Sequence, residues 1–124
     1  MERELISFVI PCYGSEKTIE PVVEELIHEY SKREDRYDYE IFLVNDCSPD
    51  NVWSVIKRLC SENDKIHGIC FAKNFGQHAA LMAGYRCCRG RIVISLDDDG
   101  QAPVESIYDL VDKINEGYDV VFGR

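Results

Sequence analysis

Basic residues are scarce in this chain. Lys and Arg number 14 against 23 Asp and Glu, a net charge of −9 over 124 residues. Nucleic-acid surfaces carry a basic stripe, so that class of partner is excluded. No apolar run is long enough to span a bilayer, and Met1-Glu2-Arg3-Glu4 does not read as the start of a secretory signal. Proline (4) and tryptophan (1) are rare, and no low-complexity segment or repeat is present. The six cysteines, Cys12, Cys47, Cys60, Cys70, Cys87 and Cys88, form no C-x-x-C pair. With no secretion signal and an ordinary core, they are expected to be reduced, mostly buried thiols of a cytosolic chain. Zinc spacing is missing too. So are the G-x-x-x-x-G-K-[ST] phosphate loop and a G-x-G-x-x-G after the first strand, which disfavours P-loop enzymes and dinucleotide oxidoreductases.

What the chain does have is concentrated in Arg91 to Gln101, R-I-V-I-S-L-D-D-D-G-Q. Ile92 to Leu96 reads as a buried strand, and Asp97, Asp98 and Asp99 follow at once. Adjacent carboxylates repel one another unless a cation sits among them. Hard oxygen donors of this kind suit Mg²⁺ or Mn²⁺, and Mg²⁺ takes one or two carboxylates plus substrate phosphates. The bland alternative is a solvated acidic turn before the helix that starts near Pro103.

The rest of the chain alternates. Strands are predicted at Leu5 to Pro11, with Pro11 as the stop, at Tyr39 to Val44, at Ile66 to Ala72, at Ile92 to Leu96, and at Tyr118 to Phe122. Between them run helical faces: Ile19, Val22, Val23, Leu26, Ile27 and Tyr30; Val52, Val55, Ile56 and Leu59; Gln77 to Cys88, with small Ala79, Ala80, Ala83 and Gly84; and Ile107, Leu110, Val111 and Ile114. Ser48 is expected to cap the second helix with Pro49 at its first position, and Gly90 to stop the third. Ser31 to Asp38 reads as a charged loop. The pattern predicts βαβ units: an α/β fold with a mainly parallel sheet and helices on both faces.

In such a sheet, ligands sit beyond the carboxyl ends of the strands at the topological switch point. The unusual loops all lie at those ends: Pro11 to Glu16, Asn45 to Asp50, Lys73 to Gln77 and Asp97 to Gln101. Tyr13 is a candidate platform for a planar base, and Asp46 a candidate acceptor for a base N–H. Asp97, Asp99 and Gln101 are candidate metal ligands. Each also has a structural reading. Tyr13 can be an edge residue, Asp46 and Asp50 turn or cap residues, Lys73 a surface lysine, and His78 a packing or capping residue.

In order, I-P-C-Y-G-S-E, L-V-N-D-C-S-P-D, K-N-F-G-Q-H-A-A-L-M-A-G, S-L-D-D-D-G-Q-A-P-V-E and G-Y-D-V-V-F-G-R resemble the family-2 glycosyltransferases of GT-A fold. The branch they look like charges polyprenyl phosphates (dolichyl or undecaprenyl). The resemblance covers nearly the whole chain, residues 1–124, and implies the Rossmann-like, nucleotide-binding half of a GT-A fold. It implies nucleotide contacts at Pro11, Tyr13, Asp46 and Asp98, with Glu16 standing in for an absent N-E pair. Metal contacts would fall at Asp97, Asp99 and Gln101. The implied reaction is inverting, metal-assisted transfer from a UDP- or GDP-linked sugar to a lipid phosphate. Cys47 stands where the family usually has glycine, and Gly100 where it has leucine.

The acceptor side and any membrane helices would lie beyond residue 124. The chain is thus expected to be a fragment of a protein at the cytoplasmic face of a membrane, weak or inactive alone and with a sheet edge open to a second copy. Two alternatives stand beside this reading. A receiver-like regulatory module would want its acids divided among strand ends and a lysine on a late strand. A metal-dependent nucleotidyltransferase would differ only in its products.

Overall fold

A computed structural model of the chain describes residues 3–100 and 104–115. Four parallel strands, β1 (Glu4–Cys12), β2 (Tyr37–Asn45), β3 (Ile66–Cys70) and β4 (Ile92–Ser95), form one sheet in the order β3-β2-β1-β4. The connecting helices are α1 (Ile19–Ser31), α2 (Val52–Glu62) and α3 (Gln77–Cys87), and α4 (Val104–Asn115) follows β4. The α/β class and parallel sheet read from the sequence are thus present. Tyr118 to Phe122, the fifth expected strand, lies outside the described residues.

The two central strands are buried on both faces, so they read as continuous apolar runs. Ile6, Phe8, Ile10 and Cys12 of β1 pack with Ile41 and Leu43 of β2 into the larger core. That core is closed by Ile19, Val23 and Leu26 of α1, Ile56 of α2, and Tyr108 and Val111 of α4. Val9, Phe42 and Val44 face the other way, onto Ala80 of α3. So α1, α2 and α4 cover one face and α3 the other, as right-handed crossovers require when the chain steps outward to β3 and then back past β1. The switch point falls between β1 and β4.

Several local expectations are corrected. Pro11 does not end β1: it pairs in register with Val44, and Cys12 pairs with Asn45. The β4 ladder reaches only to Val9, apart from a Leu96 N–H to the Val9 carbonyl, so the missing N–H of Pro11 falls where pairing lapses on that side. β2 begins at Tyr37, inside the stretch read as loop; Tyr37 is buried, but its charged neighbours mask the strand. α2 begins at Val52, so Ser48 and Pro49 lie outside it. Its first-turn Val52 N–H is accepted instead by Asp50 Oδ1 at 3.2 Å. Gly90 lies past the end of α3, and its purpose is close approach. A Cβ there would sit 2.8 Å from both the Leu5 carbonyl and the Ser7 nitrogen of β1.

The cysteines are free thiols, but only Cys12 is buried; Cys47, Cys70 and Cys87 are exposed. β3 is an edge strand, and that is why Cys70 reaches solvent. At the opposite end of the sheet from the site, buried Glu40 accepts from the Ser7 hydroxyl (2.6 Å) and the Arg89 N–H (2.8 Å), and pairs with the Arg89 guanidinium at 3.2 Å. This ties the α3–β4 connection to the sheet. α4 is held by Arg33 to Asp109 (3.2 Å) and Asp112 (3.4 Å), and by the Tyr37 hydroxyl to Asp112 (2.7 Å). Among the described residues no helix is long and apolar enough to cross a membrane.

Candidate functional site

A cleft of about 520 Å³ opens at the carboxyl edge of the sheet. Its lining comes from all four segments anticipated there: Pro11 and Cys12 at the end of β1 with Tyr13 after it; Asp46 just after β2; Asn74, Gly76 and Gln77 between β3 and the start of α3; and Asp97, Asp98 and Asp99 after β4. Pro11, Tyr13, Asp46, Asp97, Asp98 and Asp99 are therefore brought together. Glu16 is not among the lining residues: its carboxylate accepts the Asn51 N–H at 3.2 Å, within the β2–α2 loop. Gln101 lies outside the described residues.

The loops are laced to one another by carboxylates taking backbone N–H groups. Asp98 Oδ2 accepts from Tyr13 at 2.9 Å, and the Asp98 carbonyl accepts the Thr18 hydroxyl at 2.7 Å. Asp50 Oδ2 accepts from Glu16 at 3.0 Å, and Ser48 Oγ accepts from Gly14 at 2.8 Å while donating to Asp50 Oδ1 at 2.6 Å. Burial pushes the Asp50 carboxyl up, but the Ser48 hydroxyl and these amides more than offset it and leave it below the ordinary value. Asp46 is 4 % exposed; its Oδ1 accepts from Phe75 at 2.8 Å and its Oδ2 from Gly76 at 2.9 Å. Gly76, which precedes α3, needs glycine because its φ is +94°.

Burial and the nearby Asp98 charge push the Cys12 thiol up to about 12. It is a neutral floor to the cleft, not a nucleophile. Tyr13 is 54 % exposed, an aromatic face available at the rim.

The ionisable lining is acidic. Four aspartates and no lysine or arginine line the cleft among the described residues. A diphosphate would be repelled without a bridging cation. Among the described residues no three metal-ligating side chains come together into a ready site, and one Asp98 oxygen is already turned to Tyr13. Asp97 and Asp99 flank Asp98 and line the same cleft as further hard oxygen donors. Two carboxylates fit a magnesium-like ion whose coordination is finished by substrate phosphates, and do not make a closed protein cage.

Sequence reasoning named the Lys73 to Gln77 loop but assigned no role to Asn74, Gly76 or Gln77. Their signals were position at a strand's carboxyl end and membership of the K-N-F-G-Q-H-A-A-L-M-A-G segment that carries part of the resemblance.

Residues 7–124 match the family described as Glycosyl transferase family 2. The chain belongs to glycosyl transferase family 2. It is 37% identical over 119 residues to an undecaprenyl-phosphate 4-deoxy-4-formamido-L-arabinose transferase of Pseudomonas fluorescens, covering 95% of this chain and 34% of that relative. It is 38% identical over 120 residues to the transferase of the same name from Proteus mirabilis, covering 96% and 36%. The chain thus spans about a third of the length of these relatives.

Among solved structures it superposes on S. aureus TarS in complex with UDP, with TM-score 0.67 and 23% identity, over 90% of this chain and 32% of that one. It also superposes on the mannosyltransferase PcManGT of Pyrobaculum calidifontis in complex with GDP-Man and Mn²⁺, with TM-score 0.69 and 21% identity, over 87% and 31%. At these identities the likeness establishes the shared GT-A fold. Family 2 membership disfavours the receiver-like alternative. So does the arrangement of Asp97 to Asp99 as one consecutive acidic group on one loop.

Proposed function

We propose that this chain is the donor-binding part of a family 2 enzyme that moves a sugar from a UDP- or GDP-linked donor onto a polyprenyl phosphate, with inversion. The observation that carries the proposal is the acidic cleft at the β1/β4 switch point, which has no lysine or arginine among its described lining residues and so suits a nucleoside diphosphate only with a divalent cation. Pro11 and Tyr13 would flank the base, with Asp46 at the same end of the cleft. Asp98 would hold the Tyr13 backbone in place toward the ribose and diphosphate, and Glu16 would brace the β1 loop from behind.

Asp97 and Asp99, with Gln101 as a further ligand, would hold Mg²⁺ or Mn²⁺. The ion supplies charge neutralisation of the departing diphosphate. A lipid phosphate oxygen attacks the anomeric carbon from the face opposite the leaving group. The new C–O bond forms as the bond to the donor β-phosphate breaks, and the nucleoside diphosphate carries away the electron pair. The attacking phosphate is already an anion, so no general base is required, and alignment with charge stabilisation supplies the rate.

The names of the relatives support a lipid-phosphate acceptor, and those of the structural neighbours support UDP or GDP donors with Mn²⁺. With about a third of the relatives' length present, lipid-linked sugar formation by this chain alone is expected near background.

Calorimetric titration with UDP and GDP, with and without Mn²⁺, tests the donor site. Metal-dependent binding of one nucleotide, lost in Asp99→Ala, is expected. Binding of neither nucleotide in any condition would sink the proposal for this chain.

A further inference from the structure

Thr18 stands at the N-terminus of α1 without capping it. Its backbone is already helical (φ −106°, ψ −22°), and its side chain takes no α1 N–H. A cap residue accepts from the second or third helical residue, and the third here is Pro21, which has no N–H. The hydroxyl turns instead to the acidic loop after β4. It donates to the Asp98 carbonyl at 2.7 Å, with the Ser15 carbonyl farther off at 3.4 Å. Ser15 already accepts the Thr18 and Ile19 backbone N–H groups.

The Asp98 carbonyl belongs to the peptide plane that leads into Asp99. Holding that oxygen fixes the direction in which the chain enters Asp99. Asp97 has a separate anchor, because the preceding Leu96 N–H closes on the Val9 carbonyl at 3.0 Å. The Asp98 side chain is engaged by the Tyr13 N–H at 2.9 Å. The outer two aspartates are thus restrained from different places: Asp97 by the end of the sheet, and Asp99 by α1 through Thr18.

We infer that Thr18 is a positioning residue for the cation site, holding Asp99 in place relative to Asp97 and so setting which divalent cation the pair accepts. This rests on the donor-site reading above. Mg²⁺ demands near-ideal octahedral geometry at short oxygen contacts, whereas Ca²⁺ accepts longer contacts and irregular geometry. A restrained pair of carboxylates favours the first ion, and a loosened pair admits the second. Thr18 acts on this choice through the Asp98–Asp99 peptide.

The probe is UDP or GDP, whichever wild type binds, titrated in Mg²⁺ and in Ca²⁺. Order parameters of the backbone amides are measured in parallel on the ligand-free chain. Wild type is expected to bind the nucleotide about tenfold or more tightly with Mg²⁺ than with Ca²⁺. Thr18→Val keeps the shape and removes the hydroxyl. It is expected to cut that ratio about fivefold and to lower the Asp99 amide order parameter from about 0.85 toward about 0.6. Thr18→Ser keeps the hydroxyl and is expected to restore both. The melting temperature should not change in either variant. No cap bond is lost, and the Thr18–Asp98 bond is solvent-exposed, so water replaces the hydroxyl at the Asp98 carbonyl.

Wild-type discrimination in Thr18→Val would overturn the assignment, as would a wild type that does not tell the two ions apart. Failure of Thr18→Ser to restore the ratio would place the effect outside the hydroxyl and overturn it too. So would a reduced ratio with the Asp99 amide still rigid, since the tether would then not be its cause. If wild type bound no nucleotide with either ion or with Mn²⁺, the donor-site reading would fall and the cation role of Thr18 with it. The order parameters would still decide separately whether Thr18 holds Asp99.

Discussion

The Asp98 carboxylate accepts the Tyr13 backbone N–H at 2.9 Å, joining residues 85 positions apart across the β1/β4 switch point. The middle aspartate of D-D-D therefore shapes the cleft from the β4 side, and Asp97 and Asp99 flank it. This separates two roles that the bare motif merges. Asp98→Ala is expected to free the Tyr13 loop and weaken UDP or GDP binding by about tenfold, roughly 1.4 kcal/mol, the cost of one hydrogen bond to a charged group. Asp98→Ala should still bind in the presence of Mn²⁺, only more weakly, and should keep its dependence on Mn²⁺ concentration. Asp99→Ala should abolish the Mn²⁺-dependent binding itself. Equal loss in the two variants at saturating Mn²⁺ would refute the division.

Glu40 makes the sheet's acid sensitivity local. Burial pushes its carboxyl up, but hydrogen bonds from Ser7 and from the Arg89 backbone and side chain overcome this and hold it below the ordinary carboxylate value. A depressed folded-state pKa contributes stability that is fully present above the unfolded value, about 4.3. That stability is lost as pH falls through the folded value. Glu40→Gln is expected to lower stability at pH 7 by about 2 kcal/mol, since it weakens a buried, charge-assisted network. The gap from wild type should narrow as pH falls below the unfolded value toward the lowered folded value, where Glu40 itself protonates. Urea unfolding at pH 7, 5 and 3.5 measures this, and a gap independent of pH would contradict it.

These three variants also mark where the sequence was legible. Strand and helix positions were readable because Ile6 to Ile10 is a continuous buried run and because Ile19, Val23 and Leu26 share one helical face. The converging loops followed from the alternation alone. The partners of the acids were not legible. Asp46, Asp50 and Asp98 all look like ligand-seeking or capping carboxylates in one dimension. Which backbone amide each one takes depends on loops that meet only after the sheet is assembled. Cys70 was misread for a related reason: sheet order, not local pattern, makes β3 an edge. Tyr37 was hidden by charge on both sides, Asp35 and Arg36 before it and Asp38 after it.

Gly84 tests the packing that seats α3 on the sheet. A Cβ at this position would run into the side chain of Val9, which is β-branched, fully buried and unable to swing away. Ala is the better helix former by about 1 kcal/mol. Gly84→Ala is nevertheless expected to destabilise the chain by about 1–3 kcal/mol, because overpacking against a stiff neighbour outweighs propensity. The double variant Gly84→Ala/Val9→Ala should recover part of the loss, as coupled contacts do. A single variant as stable as wild type would show that α3 can shift outward at no cost.

Cys47 is the non-glycine residue with positive φ among the described residues, at 52°, in the loop that follows Asp46. A Cβ in the left-handed region costs roughly 1–2 kcal/mol, and glycine returns part of that through its greater freedom when unfolded, about 0.5–1 kcal/mol. Its thiol adds little, lying 3.7 Å from the Ala72 carbonyl and open to solvent. Cys47→Gly is therefore expected to stabilise the chain by about 0.5 kcal/mol, the difference of the two opposing costs. Cys70→Gly is the matched control: the same atoms are removed from an exposed thiol, but in extended β3. There glycine relieves no strain, and a loss of about 1 kcal/mol is expected. Opposite signs in the two urea midpoints, at unchanged slope, would locate the effect in the Cys47 backbone. Equal losses would mean that the left-handed turn stores no strain, and that the cysteine is held there by side-chain contacts instead.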